Sequence, residues 1–193
     1  MWNASIDAFN RINGDKQLWI MSCGFGFINY EENISGYHAT FRLRENDSLY
    51  NPDYFYRLKS NDVKKQWWNL LTERGILKTN NPQSIHELVN NSKPTDAVVI
   101  AAGSDYYEAI YDDLNKIKVS EELPNIALVG IKRNNRRYEP NIPRKLGPYI
   151  QSFSNGRRLR EFLGCSAIQV QLKSASYLIE KYNKTGKLKY IFP

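Results

Sequence analysis

Cysteine and histidine are scarce in this chain of 193 residues: Cys23 and Cys165 stand far apart, and His38 and His86 are the only histidines. Two distant cysteines argue against a disulfide scaffold and leave no zinc-type Cys/His spacing. Two histidines exclude a histidine-rich metal site, so neither a metal nor a cofactor is expected. No apolar run approaches the ~20 residues needed to cross a bilayer, so no membrane partner is expected. Met1-Trp2-Asn3-Ala4-Ser5 lacks the basic and apolar pattern of a secretory leader. A cytoplasmic protein is the plain expectation. Internal repeats and low-complexity linkers are missing too. The length suits a single domain over residues 1–193 with ample chain to bury a core.

What is present is an uneven charge. Up to Asp113 there are 11 Lys and Arg against 15 Asp and Glu, a net of −4. From Leu114 onward the count is 16 against 5, a net of +11. A basic half joined to a mildly acidic half suits a polyanion partner, and a solvated basic surface is the plainer alternative. Lys132, Arg133, Arg136, Arg137, Arg144 and Lys145 form one cluster. Arg157, Arg158 and Arg160 form a second, and four lysines from Lys181 to Lys189 a third. Arginine forks suit phosphates, and Tyr138 and Tyr149 nearby suit bases.

Apolar spacing predicts alternating helices and strands. Trp2, Ile6, Phe9 and Ile12 predict a helix that Asn13-Gly14-Asp15 ends. Gln17 to Ser22 reads as the first strand, and 24–60 as a long Tyr- and Asn-rich loop. Asn61 or Asp62 caps a helix through Val63, Trp67, Trp68, Leu70 and Leu71, which Gly75 closes. Only one of the two tryptophans can face the core well. Asn81-Pro82-Gln83-Ser84 opens a short helix carrying Ile85, Leu88 and Val89. Ala97 to Ala102 and Ile126 to Ile131 are apolar runs of the buried parallel-strand type. A helix is expected from Tyr106 to about Ile117, a basic loop over 132–150, a short helix over 157–163, and a longer one from about Ile168 to Tyr182. This order predicts an α/β fold: one three-layer domain with a mostly parallel sheet flanked by helices.

The most informative stretch follows the first strand. Ser22-Cys23-Gly24-Phe25-Gly26-Phe27 places two glycines where the backbone must approach something closely or turn. In an open α/β sheet, ligands sit at the carboxyl ends of strands. Ser22, Gly24, Phe25 and Gly26 are therefore candidate ligand-binding residues, an ordinary turn being the alternative. Tyr37 and Phe25 are candidate stacking walls or core residues. His38 has a donor for a leaving group or phosphate. Asp105 and Ser104 open a helix after a strand end, and each suits either a ligand or a helix cap. Glu108 lies on a similar face to Asp105. Asp47 competes as a catalytic carboxylate, or closes an Asx-turn. Ser166, ahead of the last helix, suits a phosphate at a helix N-terminus or a plain cap.

Several of these segments resemble one loosely defined bacterial superfamily. They are Ser22–Ile28, Tyr37–Phe41, Asp47-Ser48-Leu49, Trp67-Trp68 with Leu70-Leu71, Val98–Tyr107, Asp112-Asp113-Leu114 and Leu163–Ser166. The superfamily includes the peroxide-stress YaaA proteins and a domain of archaeosine synthase. Some members occur beside DNA-modification and phage-defence genes. The resemblance spans about residues 17–180 and implies a fold like that of uracil-DNA glycosylases. Such proteins begin with a strand bearing a Cys-Ser-Lys-like turn, whereas this chain begins almost at the first helix. A partner chain (another protein or a second copy) supplying that turn and a pared-down member of the superfamily are the two expectations.

The resemblance implies recognition and excision of a modified nucleobase in DNA, in a setting of antiviral defence. N-glycosidic cleavage passes through a sugar cation and needs a carboxylate to place water, donors for the base and aromatic walls. Asp105 would position water, with Asp47 competing and His38 assisting. Ser22, Gly24, Phe25, Gly26, Tyr37 and Ser104 would form the pocket. Lys132, Arg133, Arg136, Arg137, Arg157, Arg158 and Ser166 would hold the DNA backbone. A non-catalytic DNA-binding protein and an enzyme acting on free nucleosides or nucleotides are the other expectations.

Overall fold

The computed structural model describes residues 6–7, 9–41, 48–49, 60–75, 81–120, 123–134, 137–151, 157–166 and 169–188. The chain packs as two compact units and passes between them more than once. Unit 1 takes Met1–Lys16, Ser92–Ser104 and Val119–Pro193, and unit 2 takes Gln17–Asn91 and Asp105–Lys118. Charge divides with them. Unit 1 has 17 Lys and Arg against 8 Asp and Glu, net +9, and unit 2 has 10 against 12, net −2.

Unit 2 begins with a hairpin. β1 (Trp19–Ser22) and β2 (Gly26–Asn29) pair antiparallel, Trp19 opposite Asn29 and Ser22 opposite Gly26. The strand at 17–22 is therefore where the sequence places it, but its setting is different. It forms a two-stranded sheet with β2 and does not enter the parallel sheet. The cause is Gly26, whose φ of 78° starts β2 after the three-residue turn Cys23–Phe25 and so reverses the chain. A Cβ there would also lie 3.1 Å from the Leu71 Cβ.

Leu71 belongs to α1 (Ser60–Arg74), which Gly75 ends in the left-handed region at φ 53°. Val63, Trp68 and Leu71 recur at helical spacing and are buried. α2 (Ile85–Asn91) buries Ile85 and Val89. Two short helices, α3 (Ser104–Ala109) and α4 (Tyr111–Lys116), stand where one was expected. The break is at Ile110, with φ −84° and ψ 7°. Hydrogen bonds from Ile110 N–H to Tyr106 O and from Leu114 N–H to Ile110 O (both 2.9 Å) continue through it. Ile110, Leu114 and Ile117 are all fully buried, so packing sets this bend.

Asp113 of α4 caps α2 from a distance. Its carboxylate accepts Ile85 N–H (3.0 Å), His86 N–H (3.1 Å) and Trp68 Nε1–H (3.3 Å), and lies 2.6 Å from His86 Nδ1. Ser84 Oγ adds a weaker local cap on Glu87 N–H (3.3 Å). The buried Asp113 is tolerated because donors surround it.

Unit 1 is built on a parallel sheet of β3 (Ala97–Ala101), β4 (Asn125–Val129) and β7 (Ile150–Gln151), in the order β3-β4-β7. Between β4 and β7 lie an antiparallel ribbon, β5 (Lys132–Asn134) with β6 (Arg137–Glu139), and a 3-10 helix over Arg144–Tyr149. The expected basic loop over 132–150 thus contains regular structure. α5 (Arg157–Leu163) and α6 (Val170–Thr185) follow. Ala127 and Val129 of β4 pack with Leu159 of α5, Val170 and Leu178 of α6, and Leu188. Gly130 turns the chain at the end of β4 with φ 103°, and a Cβ there would lie 2.2 Å from the Ala102 carbonyl oxygen. The architecture is α/β, with a small parallel three-stranded sheet and helices.

Candidate active site

The hairpin turn of unit 2 is tied together by Ser22. Its Oγ accepts Phe25 N–H (3.1 Å) and Gly24 N–H (3.3 Å) and donates to Tyr37 Oη at 2.7 Å. The Tyr37 ring lies on Gly24, where an added Cβ would come within 2.3 Å of the ring. Phe25 meets the same ring edge-on, with centroids 5.1 Å apart. Gly24 therefore serves a close approach, as its place in the motif suggested, and the partner is Tyr37. Tyr37 as a whole is 40% exposed.

α1 supports the turn from below. Trp67 Nε1–H donates to the Cys23 carbonyl at 2.7 Å, so Trp67 packs under the turn while Trp68 fills the core. One turn earlier, Lys64 sends its ammonium to α3, 2.6 Å from Asp105 Oδ1 and 2.6 Å from Glu108 Oε2. The Lys64 side chain is 7% exposed, Glu108 27% and Asp105 46%. Asp105 and Glu108 are three residues apart, so one helix turn brings both to one ammonium. The Lys64 clamp was missed in the sequence. Its only signal was a lysine at the apolar spacing of Val63 and Trp67.

Tyr106 joins the two halves of this arrangement. Phe41 packs edge-on against its ring at 5.2 Å. Burial pushes its phenol well above the ordinary tyrosine range, with further upward pushes from Cys23, Tyr37 and Asp105. A backbone hydrogen bond at Cys23 opposes part of that shift. The buried Cys23 thiol is itself pushed up to about 12 by desolvation, which suits a packed thiol and not a nucleophile. The arrangement offers a half-exposed carboxylate held by a buried ammonium. Such a group can orient a water or face a developing cation.

The structure brings together Ser22, Gly24, Phe25 and Tyr37 of the sequence candidates, while Asp105 pairs with Lys64. Gly26 serves the hairpin and contacts α1. His38 is exposed, and Ser104 is the exposed first residue of α3. Asp47 and Arg136 lie outside the described residues. Lys132 and Arg133 lie in β5, Arg137 in β6, and Arg157 and Arg158 in the first turn of α5, all within unit 1. Ser166 directs both its N–H and its Oγ to Gln169 Oε1 (3.3 Å each), closing the turn ahead of α6. No group of three metal-ligating side chains occurs among the described residues, and no helix among them is long and apolar enough to cross a membrane. No family model, curated protein or solved structure matches this chain.

Proposed function

We propose that this chain recognises a modified nucleobase in DNA and cleaves its N-glycosidic bond, with a fold of the uracil-DNA-glycosylase kind and a role in antiviral defence. The observation that supports the reading is the half-exposed Asp105 carboxylate held 2.6 Å from the buried Lys64 ammonium. Asp105, held by Lys64, positions water and faces the sugar cation, and Tyr37 offers the stacking wall. The motif resemblance supports the same chemistry. The test incubates purified protein with phage DNAs carrying unmodified or hypermodified bases and scores abasic sites by alkaline cleavage. Release from one modified DNA, lowered at least ~100-fold in Asp105→Ala, supports the reading. No release from any of them sinks it.

A second reading, a non-catalytic DNA-binding protein, is favoured by the net +9 on unit 1. In that case Asp105→Ala leaves binding and biological activity unchanged, while Arg158→Ala weakens both.

A further inference from the structure

We infer that Glu108 is a positioning residue for the reaction at Asp105: it keeps the buried Lys64 ammonium opposite a carboxylate while Asp105 takes up a proton. This rests on the excision reading above and adds a residue to it. Lys64 Nζ lies 2.6 Å from Asp105 Oδ1 and 2.6 Å from Glu108 Oε2, so two acids hold one ammonium at equal distance. Their spacing of three residues on α3 brings both to the same side chain of α1. Exposure separates their roles. Asp105 is the most exposed of the three, Glu108 is intermediate and Lys64 is buried. Asp105 is therefore the carboxylate open to water and substrate, and Glu108 is the inner partner. The ion pair uses Asp105 Oδ1 and leaves Oδ2 for a water.

The need for a second acid follows from the bookkeeping of the step. The water oxygen bonds to C1′ of the sugar, and the C1′–N bond breaks with its electron pair on the base. One water proton passes to Asp105, which later returns it to solvent, and the base takes a proton from solvent. While Asp105 is neutral, its charge no longer opposes Lys64. An ammonium this deeply buried is costly to leave without an opposing charge. Glu108 already stands at 2.6 Å, so an anion stays beside the ammonium throughout. With a neutral residue at 108, that cost falls on the proton transfer alone. The resting enzyme still has the ionised Asp105 opposite Lys64. Turnover should then slow while substrate binding does not change.

The test combines thermal melts and excision kinetics of the full chain carrying Asp105→Asn, Glu108→Gln or both. Asparagine at 105 stands for the neutral, protonated aspartate. Each single variant leaves one α3 carboxylate beside Lys64 and should melt close to wild type. The double variant leaves neither and should melt several degrees below what the two single effects add up to. On the modified DNA that the wild-type chain cleaves, Glu108→Gln should lower kcat at least ~10-fold with KM unchanged. Glu108→Asp, which restores the charge on a shorter arm, should recover part of that loss. Additive melts overturn the inference, because Glu108 then does not replace Asp105 at the ammonium. Wild-type kcat in Glu108→Gln overturns it as well. Both results leave the excision reading standing. Absence of excision by the wild-type chain removes that reading and the positioning role with it.

Discussion

Lys64 shows how much of this site rests on one side chain. Replacing it with methionine keeps the volume and leaves Asp105 and Glu108 facing each other without their ammonium. Breaking a fully buried pair costs ~3–5 kcal/mol, and the half-exposed Asp105 lowers that to ~1–3 kcal/mol here. A thermal melt of Lys64→Met should therefore fall by several degrees, and adding Asp105→Asn and Glu108→Gln should recover part of the loss. Gly24→Ala tests the other side of the site. Its Cβ has no room beside Tyr37, so the ring must leave the turn. On the proposed reading excision should drop, while the melt changes by little because Tyr37 is 40% exposed. Cys23 adds a pH dependence. Its folded pKa of about 12 lies above the unfolded 9.0, so the folded state holds the proton more tightly between these values. Stability is unaffected below pH 9 and falls as pH rises toward 12. Urea midpoints from pH 8 to 11 should decline, and the decline should be shallower in Cys23→Ala.

Among the elements, α2 depends most on a distant partner. Asp113→Ala removes the acceptor for two backbone amides and the Trp68 ring N–H, and the 2.6 Å partner of His86 Nδ1. A lost cap with buried donors left unpaired should cost ~2–4 kcal/mol, read from urea denaturation. This cap also marks what local sequence conveys. β3, β4, α1 and α2 were legible because apolar spacing encodes which face is buried, and Gly75 because a helix end needs a left-handed residue. The pairing of β1 was not legible, since a strand at the start of an α/β pattern and a strand of a hairpin have the same composition. Only the backbone of Gly26 separates them. The bend at Ile110 was hidden for a similar reason, because the apolar period runs through it. Ser22 and Gly24 were recognisable as special positions, yet their partner Tyr37 lies beyond any local window. The clamp of Lys64 on two acids 41 and 44 residues later had no local signature beyond a lysine placed among apolar helix positions.

The molecule as a whole is interleaved. Unit 2 is interrupted by residues 92–104, so its two polar anchors join segments from opposite sides of the interruption. Lys64 waits for Asp105 and Glu108, and the amides of α2 wait for Asp113. A fragment of residues 17–91 has the whole hairpin, α1 and α2 and lacks all three carboxylates. It should show weak helical circular dichroism and no cooperative melt, whereas the full chain melts cooperatively. The cap on α2 has one more consequence, which concerns the order in which the chain is made. Translation completes α2 at Asn91 and reaches Asp113 22 residues later. At ~5–20 residues per second, that is a delay of ~1–5 seconds. During it the amides at the start of α2 have only Ser84 and water. The nascent chain therefore carries an unfinished unit 2 while β3 is already being synthesised, and a holding chaperone would meet the hairpin and α1 in that interval.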